Sequence, residues 1–150
     1  MRLLEKANIG YKTLAYTYDP NNLDVGKIAE ENELDVRVIY KTLVGIGAQT
    51  GLFVAVIPGD KQMDRKALAR ITGNKKVSLL PIDQLEAKTG YIRGGCCPIG
   101  MKQALPVYID ISAQEREHIW VNAGQRGLLI GLHYTDLQQA SQASLEPIAH

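Results

Sequence analysis

Residues 94–100, Gly-Gly-Cys-Cys-Pro-Ile-Gly, form the stretch whose composition is best suited to chemistry. Glycine and proline at this density exclude a regular helix or a central strand, so the segment is predicted to be a loop, called here the glycine loop. Such a loop can direct several backbone N–H groups at one point, as an oxyanion or a carboxylate requires. The alternative is a tight structural turn with two buried cysteines, and glycine and proline alone do not decide between the two.

Lys41 is the second candidate, because it interrupts an apolar, strand-like run over residues 38–44. Its ammonium group points either to solvent, as on the polar face of many strands, or inward to a site. The histidines (His118, His133 and His150) are not accompanied by a serine in a nucleophile-elbow context, so the sequence gives little support to Ser-His-Asp hydrolysis.

Length and charge limit the class of protein. The 150 residues are predicted to form one domain, residues 1–150, and the formal net charge of +1 is low for a protein that grips nucleic acid over a wide surface. No apolar run is long enough for a membrane span and no signal peptide is recognisable, so a cytoplasmic protein without membrane contact is expected. The two adjacent cysteines lack the spacing of a metal site, and no metal or organic cofactor is expected.

Hydrophobic periodicity predicts an α+β domain in which a mixed, barrel-like sheet of six to seven short strands is flanked by short helices. Strands are predicted at residues 12–18, 36–44, 52–57, 77–80, 106–111, 119–121 and 128–132. Helices are predicted at residues 2–8, 25–32 and 64–72, the second capped by Asp24. Capping-box patterns predict further helical starts at Asp83, Ser112 and Thr135.

Three separated segments together resemble the YbaK/EbsC family of small free-standing deacylases: residues 40–44 (YKTLV), 89–100 (TGYIRGGCCPIG) and 123–128 (AGQRGL). The resemblance implies a mixed β-barrel with flanking helices and hydrolysis of cysteine wrongly attached to proline tRNA. It also implies a relation to the editing domain of bacterial prolyl-tRNA synthetases. In this family the thiol of the substrate attacks its own ester carbonyl and leaves as a thiolactone, which would make the hydrolase lyase-like.

The resemblance also implies which residues form the site. Lys41 matches the family's key lysine, Gly94 with Gly95 is expected to stabilise the oxyanion, and Tyr16 is expected to line the pocket. The remaining expected substrate-binding residues are Cys97, Pro98, Arg126 and Gly127. The implied partner is the aminoacylated CCA end of a tRNA, with prolyl-tRNA synthetase as a further candidate.

Three positions depart from the family pattern and leave alternatives open. Cys97 replaces a serine of the commonest family loop, and Leu129 and Gly131 stand where the family often has acidic residues. One alternative is therefore a module that binds aminoacyl-tRNA or the synthetase without catalysis. The other is a thiol enzyme in which Cys97 itself is the nucleophile.

Overall fold

The computed structural model describes residues 2–22 and 24–150, and within them eight strands form two sheets. The strands are β1 (Lys12–Ala15), β2 (Tyr40–Gly47), β3 (Gly51–Pro58), β4 (Val77–Leu79), β5 (Val107–Asp110), β6 (Ile119–Asn122), β7 (Leu128–Leu132) and β8 (Ser144–Glu146). The small sheet is antiparallel with the order β1-β7-β6, and the large sheet is mixed with the order β4-β2-β3-β5-β8. The predicted mixed α+β class is confirmed, with β8 as an additional strand.

The hairpin of β2 and β3 lies at the centre of the large sheet. Its antiparallel register runs from Tyr40 opposite Pro58 to Gly47 opposite Gly51. Successive side chains of β3 point to opposite faces: Val56 packs into the core shared with the small sheet, and Ile57 packs into a second core under the large sheet. Both faces of β3 are therefore buried, as its unbroken apolar composition predicts.

The sheets are not closed, so the predicted barrel is only a loose description. β4 has three residues and pairs with β2 only at Gly45–Gly47. The start of β2 meets the small sheet at an isolated parallel bridge between Ile39 and Trp120. Between these two contacts the edge of β2 has no partner strand in the described part of the protein, and this gap matters for the site below.

Within the described residues, five α-helices lie between or beside the strands: α1 (Arg2–Lys6), α2 (Val25–Glu31), α3 (Arg65–Thr72), α4 (Ile82–Thr89) and α5 (Tyr134–Ser141). As predicted, Asp24 caps α2 by accepting a hydrogen bond from the backbone N–H of Gly26. No helix of the described residues has the length and apolarity needed to cross a membrane.

Several predicted boundaries are wrong by two to four residues, including the end of β1, which lies at Ala15 and not at residue 18. The caps are Pro81, Asp110 and His133, each two positions before the predicted Asp83, Ser112 and Thr135. Residues Val36–Val38, predicted as the start of a strand, form a short 3-10 helix, because the Asp35 carboxylate accepts a hydrogen bond from the backbone N–H of Arg37 and bends the polypeptide. β2 in turn continues to Gly47, beyond the predicted end at residue 44.

Candidate active site

A cavity of about 400 Å³ follows the uncovered edge of β2. All of residues 40–44 line it, because a strand edge presents backbone atoms as well as the side chains of both faces. Its other walls are mostly apolar and include Ile28 of α2, Ile82 and Leu85 of α4, and Leu129 of β7. An apolar cavity with a few polar groups is the usual form of a small-molecule site.

Lys41 is the basic residue of β2 on this cavity. Its side chain is half-buried, and burial lowers the pKa of its ammonium group below the ordinary value, while the charges of Asp24 and Asp60 partly oppose this effect. The structure thus places Lys41 inward, where a charged group is costly unless it has a use. Arg93, next to the glycine loop, also lines the cavity.

The glycine loop closes one end of the cavity through Gly94 and Cys96. Gly94 has a φ of +83°, and its carbonyl oxygen accepts a hydrogen bond from the side-chain amide of Asn122 at 2.9 Å. The N–H of Gly94 has no hydrogen-bond partner in the described residues, whereas the N–H of Gly95 donates to the carbonyl of Ile92 at 2.9 Å. Gly94 is therefore the better placed of the two expected oxyanion donors.

Tyr16 lies directly after β1, where the polypeptide leaves the small sheet, and it lines the cavity. Two contacts position it: its backbone N–H donates to the carbonyl of Gly127 at 2.9 Å, and its hydroxyl oxygen accepts from the amide of Asn122 at 3.4 Å. Gly127 has a φ of +87°, and an added Cβ would lie 3.1 Å from the carbonyl oxygen of Tyr16. Gly127 thus supports Tyr16 and is not itself on the cavity wall.

Arg126 is exposed and connects the β6–β7 hairpin loop to the segment before the glycine loop. Its Nε donates to the carbonyl of Arg93 at 3.0 Å, and its guanidinium lies 4.7 Å from the ring centroid of Tyr18. It does not line the cavity. These contacts give Arg126 a role in holding the loop, while the residue as a whole stays exposed to solvent.

Cys97 and Pro98 are buried and do not line the cavity, whereas the neighbouring Cys96 does. Burial raises the pKa of both thiols to about 11. A thiol nucleophile needs the thiolate form, so neither environment favours the alternative of a thiol enzyme.

The two buried thiols predict a loss of stability in alkali. Well below pH 9 both thiols are protonated in the folded and in the unfolded protein. Between about pH 9 and 11 the thiols of the unfolded protein lose their protons, whereas those of the folded protein keep them. The free energy of unfolding should then fall by about 1.4 kcal/mol per pH unit for each thiol. Urea unfolding of the wild type and of the Cys96→Ala/Cys97→Ala variant from pH 7 to 11 measures this. Equal slopes for the two proteins would contradict it.

The two other departures from the family pattern have different consequences. Leu129 is buried and adds to the apolar wall of the cavity. Gly131 packs against Trp120, and a Cβ there would lie 2.9 Å from the indole ring, so no larger side chain fits. The cavity consequently has no carboxylate among the described residues that line it.

The histidines are not among the described residues that line the cavity. His133 accepts a hydrogen bond from the backbone N–H of Thr135 as the cap of α5, and no histidine of the described residues lines the cavity. Those residues also contain no cluster of three or more His, Cys, Asp or Glu side chains suited to a metal ion.

Asn122 is the residue that sequence reasoning missed. It lines the cavity, donates to Gly94 and Tyr16, and accepts from the backbone N–H of Gly124 at 2.7 Å. An Asn two residues before a glycine at the start of a hairpin loop is a turn signal, and that signal was available. Its hydrogen bonds to segments 28 and 106 residues away cannot be recognised from the sequence.

Comparison with known proteins gives a consistent family match. Residues 19–140 match the family model described as the aminoacyl-tRNA editing domain. A protein of Enterococcus faecalis, provisionally named Cys-tRNA(Pro)/Cys-tRNA(Cys) deacylase EbsC, is 46% identical over 132 residues, which cover 88% of this protein and 80% of that one. A proline–tRNA ligase of Thermosipho africanus is 29% identical over 96 residues, 64% of this protein but only 17% of the ligase.

Among solved structures, the fold matches a protein described as a candidate trans-editing enzyme for prolyl tRNA synthetase, with a TM-score of 0.86. The match covers 99% of this protein and 93% of that one at 21% identity. Because the identity is this low, the match supports a shared fold only.

Proposed function

The protein belongs to the aminoacyl-tRNA editing domain family, and on that premise we propose that it deacylates mischarged aminoacyl-tRNA in trans, with cysteinyl-tRNA(Pro) as the first candidate substrate. The observation that carries the proposal is that Lys41, Tyr16 and Gly94, from three distant segments, line one mainly apolar cavity. An ammonium group and a backbone N–H without an internal partner, both on residues that line one apolar space, can bind an ester and stabilise the negative charge that develops on it.

In the proposed reaction the substrate supplies the nucleophile. The cysteine sulfur attacks the ester carbonyl, a C–S bond forms, the bond to the 3′ oxygen of the terminal ribose breaks, and the thiol proton passes to that oxygen. Water then opens the released thiolactone to cysteine. The Gly94 N–H donates to the oxyanion, and Lys41 binds the carbonyl oxygen or a phosphate of the acceptor end.

The proposed substrate contact is limited to the acceptor end of the tRNA. The net charge is only +1, and among the described residues the basic side chains on the cavity wall are Lys41 and Arg93, with the exposed Arg126 hydrogen-bonded to Arg93. A synthetase that delivers the tRNA would compensate for this weak electrostatic attraction, and prolyl-tRNA synthetase is the proposed candidate. A cytoplasmic location stays a prediction.

The proposal is tested by measuring deacylation of cysteinyl-, alanyl- and seryl-tRNA(Pro), with S-methylcysteinyl-tRNA(Pro) as a matched control that lacks the nucleophile. We expect rapid loss of cysteine only, and a stable S-methyl ester. Hydrolysis of the alanyl or S-methyl ester would contradict the substrate-thiol mechanism, but it would still support the proposal that the protein is a deacylase. Binding of the tRNAs without turnover of any would instead indicate the non-catalytic module.

A further inference from the structure

Thr42, a residue of the cavity wall, carries a buried polar atom that has no partner among the described residues. Its hydroxyl oxygen is buried and has no hydrogen-bond partner, one of two such side-chain atoms in the residues that the structure describes. Thr42 lines the cavity. Buried polar atoms are almost always paired in folded proteins, so an unpaired hydroxyl beside a ligand-sized cavity indicates a partner that arrives with the ligand.

The backbone of the same residue faces the same gap. The carbonyl of Ile39 accepts from the N–H of Gly59 on the β3 side, whereas the carbonyl of Val44 accepts from the N–H of Leu80 on the opposite side. Backbone groups alternate along an antiparallel strand, so those of Thr42 point away from β3, as those of Val44 do. At Thr42 neither β4 nor β6 covers that side.

The other residues that line the cavity provide few acceptors for the ammonium group of an aminoacyl ester, and Thr42 can provide them. An aminoacyl ester brings an ammonium group with three donors and a carbonyl oxygen, which is an acceptor. No carboxylate of the described residues lines the cavity, and the side-chain oxygen of Asn122 already accepts from Gly124. The groups left to receive the ammonium donors are therefore neutral oxygens, of which Thr42 supplies two.

We infer that the open edge of β2 at Thr42 is the binding site for the α-amino and carbonyl groups of the aminoacyl moiety, an inference that rests on the proposed function. The hydroxyl and the backbone carbonyl oxygen of Thr42 accept hydrogen bonds from the ammonium group, and its backbone N–H donates to the ester carbonyl. Recognition of the amino and carbonyl groups of the amino acid is thereby separated from the apolar walls that contact its side chain.

The test compares Thr42→Val, which keeps the shape but removes the hydroxyl, with Thr42→Ser, which keeps the hydroxyl. The probe is the non-hydrolysable 3′-(L-cysteinylamino)-3′-deoxyadenosine, and 3′-amino-3′-deoxyadenosine is the control without the aminoacyl group. We expect Thr42→Val to weaken binding of the probe and to lower kcat/KM by about tenfold, with little change for the control, and Thr42→Ser to stay within about threefold of the wild type.

Stability provides a second readout. Since the hydroxyl has no partner in the free protein, Thr42→Val should unfold at the same temperature as the wild type or higher. In labelled wild-type protein the amide signal of Thr42 should shift with the cysteinyl probe and not with the control.

The outcomes separate this inference from the proposed function. If wild type hydrolyses cysteinyl-tRNA(Pro) but Thr42→Val does so equally well, the assignment of Thr42 is wrong and the deacylase remains. If no aminoacyl-tRNA is hydrolysed but probe binding still depends on the hydroxyl, the site stands and the catalytic proposal fails. A lower unfolding temperature of Thr42→Val would show a structural role and overturn the inference.

Discussion

Replacing Lys41 with methionine is expected to lower kcat/KM for deacylation of cysteinyl-tRNA(Pro) by at least about 100-fold. The methionine keeps an unbranched apolar side chain of similar length but removes the only ammonium group that the described residues place on the cavity wall. Steady-state deacylation assays at neutral pH measure the loss.

The same substitution should not destabilise the fold. Because burial lowers the pKa of Lys41, the folded state disfavours its charged form, and this cost is present below the folded pKa and disappears as the pH rises toward 10.5. Removing the charge should therefore leave the unfolding temperature at pH 7 unchanged or higher. Lys76→Met, at an exposed lysine, is the matched control and should keep full activity. A Lys41→Met protein with activity within threefold of the wild type would show that the ammonium group is not used.

Gly94→Ala is expected to have a comparable effect on activity, a loss of about 100-fold or more. At a φ of +83° an alanine is strained, and its Cβ would lie 3.2 Å from the ring of Tyr18 and 3.7 Å from the side chain of Arg126. Either the ring of Tyr18 moves or the backbone of the loop turns, and we expect a turn of the loop to displace the N–H of residue 94 from the position proposed for the oxyanion. Deacylation kinetics and urea unfolding should be measured on the same samples.

Gly73→Ala is the control for backbone strain. Gly73 ends α3 at a φ of +79°, and nothing lies within 4 Å of an added Cβ, so it carries the same conformational penalty without contacts to the site. Both variants should lose about 1 kcal/mol of stability. Only Gly94→Ala should lose activity; an equal loss in both would attribute the effect to stability and not to the glycine loop.

Local patterns in the sequence predicted many of the elements. The β2–β3 hairpin, the β6–β7 hairpin, α2 behind Asp24 and α3 before Gly73 all follow from the spacing of apolar residues and from turn or capping chemistry within a few positions. The helical starts were placed two residues late because a capping-box pattern is short and the true caps, Asp110 and His133, lie just before it. The strand β8 is not predicted because a segment of three residues is too short to show a hydrophobic periodicity.

Some residues of the candidate site were predicted from local sequence patterns, and others were recognised only in the structure. Lys41 and Gly94 became candidates through local signals, a lysine in an apolar strand and glycines in a loop, and the family resemblance supplied their proposed roles. That Cys96 faces the cavity while Cys97 is buried depends on how the glycine loop packs, and sequence order does not reveal it. Asn122 matters for the same reason, because its partners come from two other segments.

Most of the elements, the family resemblance and the two residue types around which the chemistry is proposed follow from the sequence alone. The open edge of β2 in the described residues, and the buried, unpaired hydroxyl of Thr42 on that strand, follow only from the tertiary structure. The physical reason is that propensity and capping act between near neighbours, whereas an uncovered strand edge is defined by the partners it lacks. Those partners, β4 and β6, are placed by packing between segments far apart in the sequence.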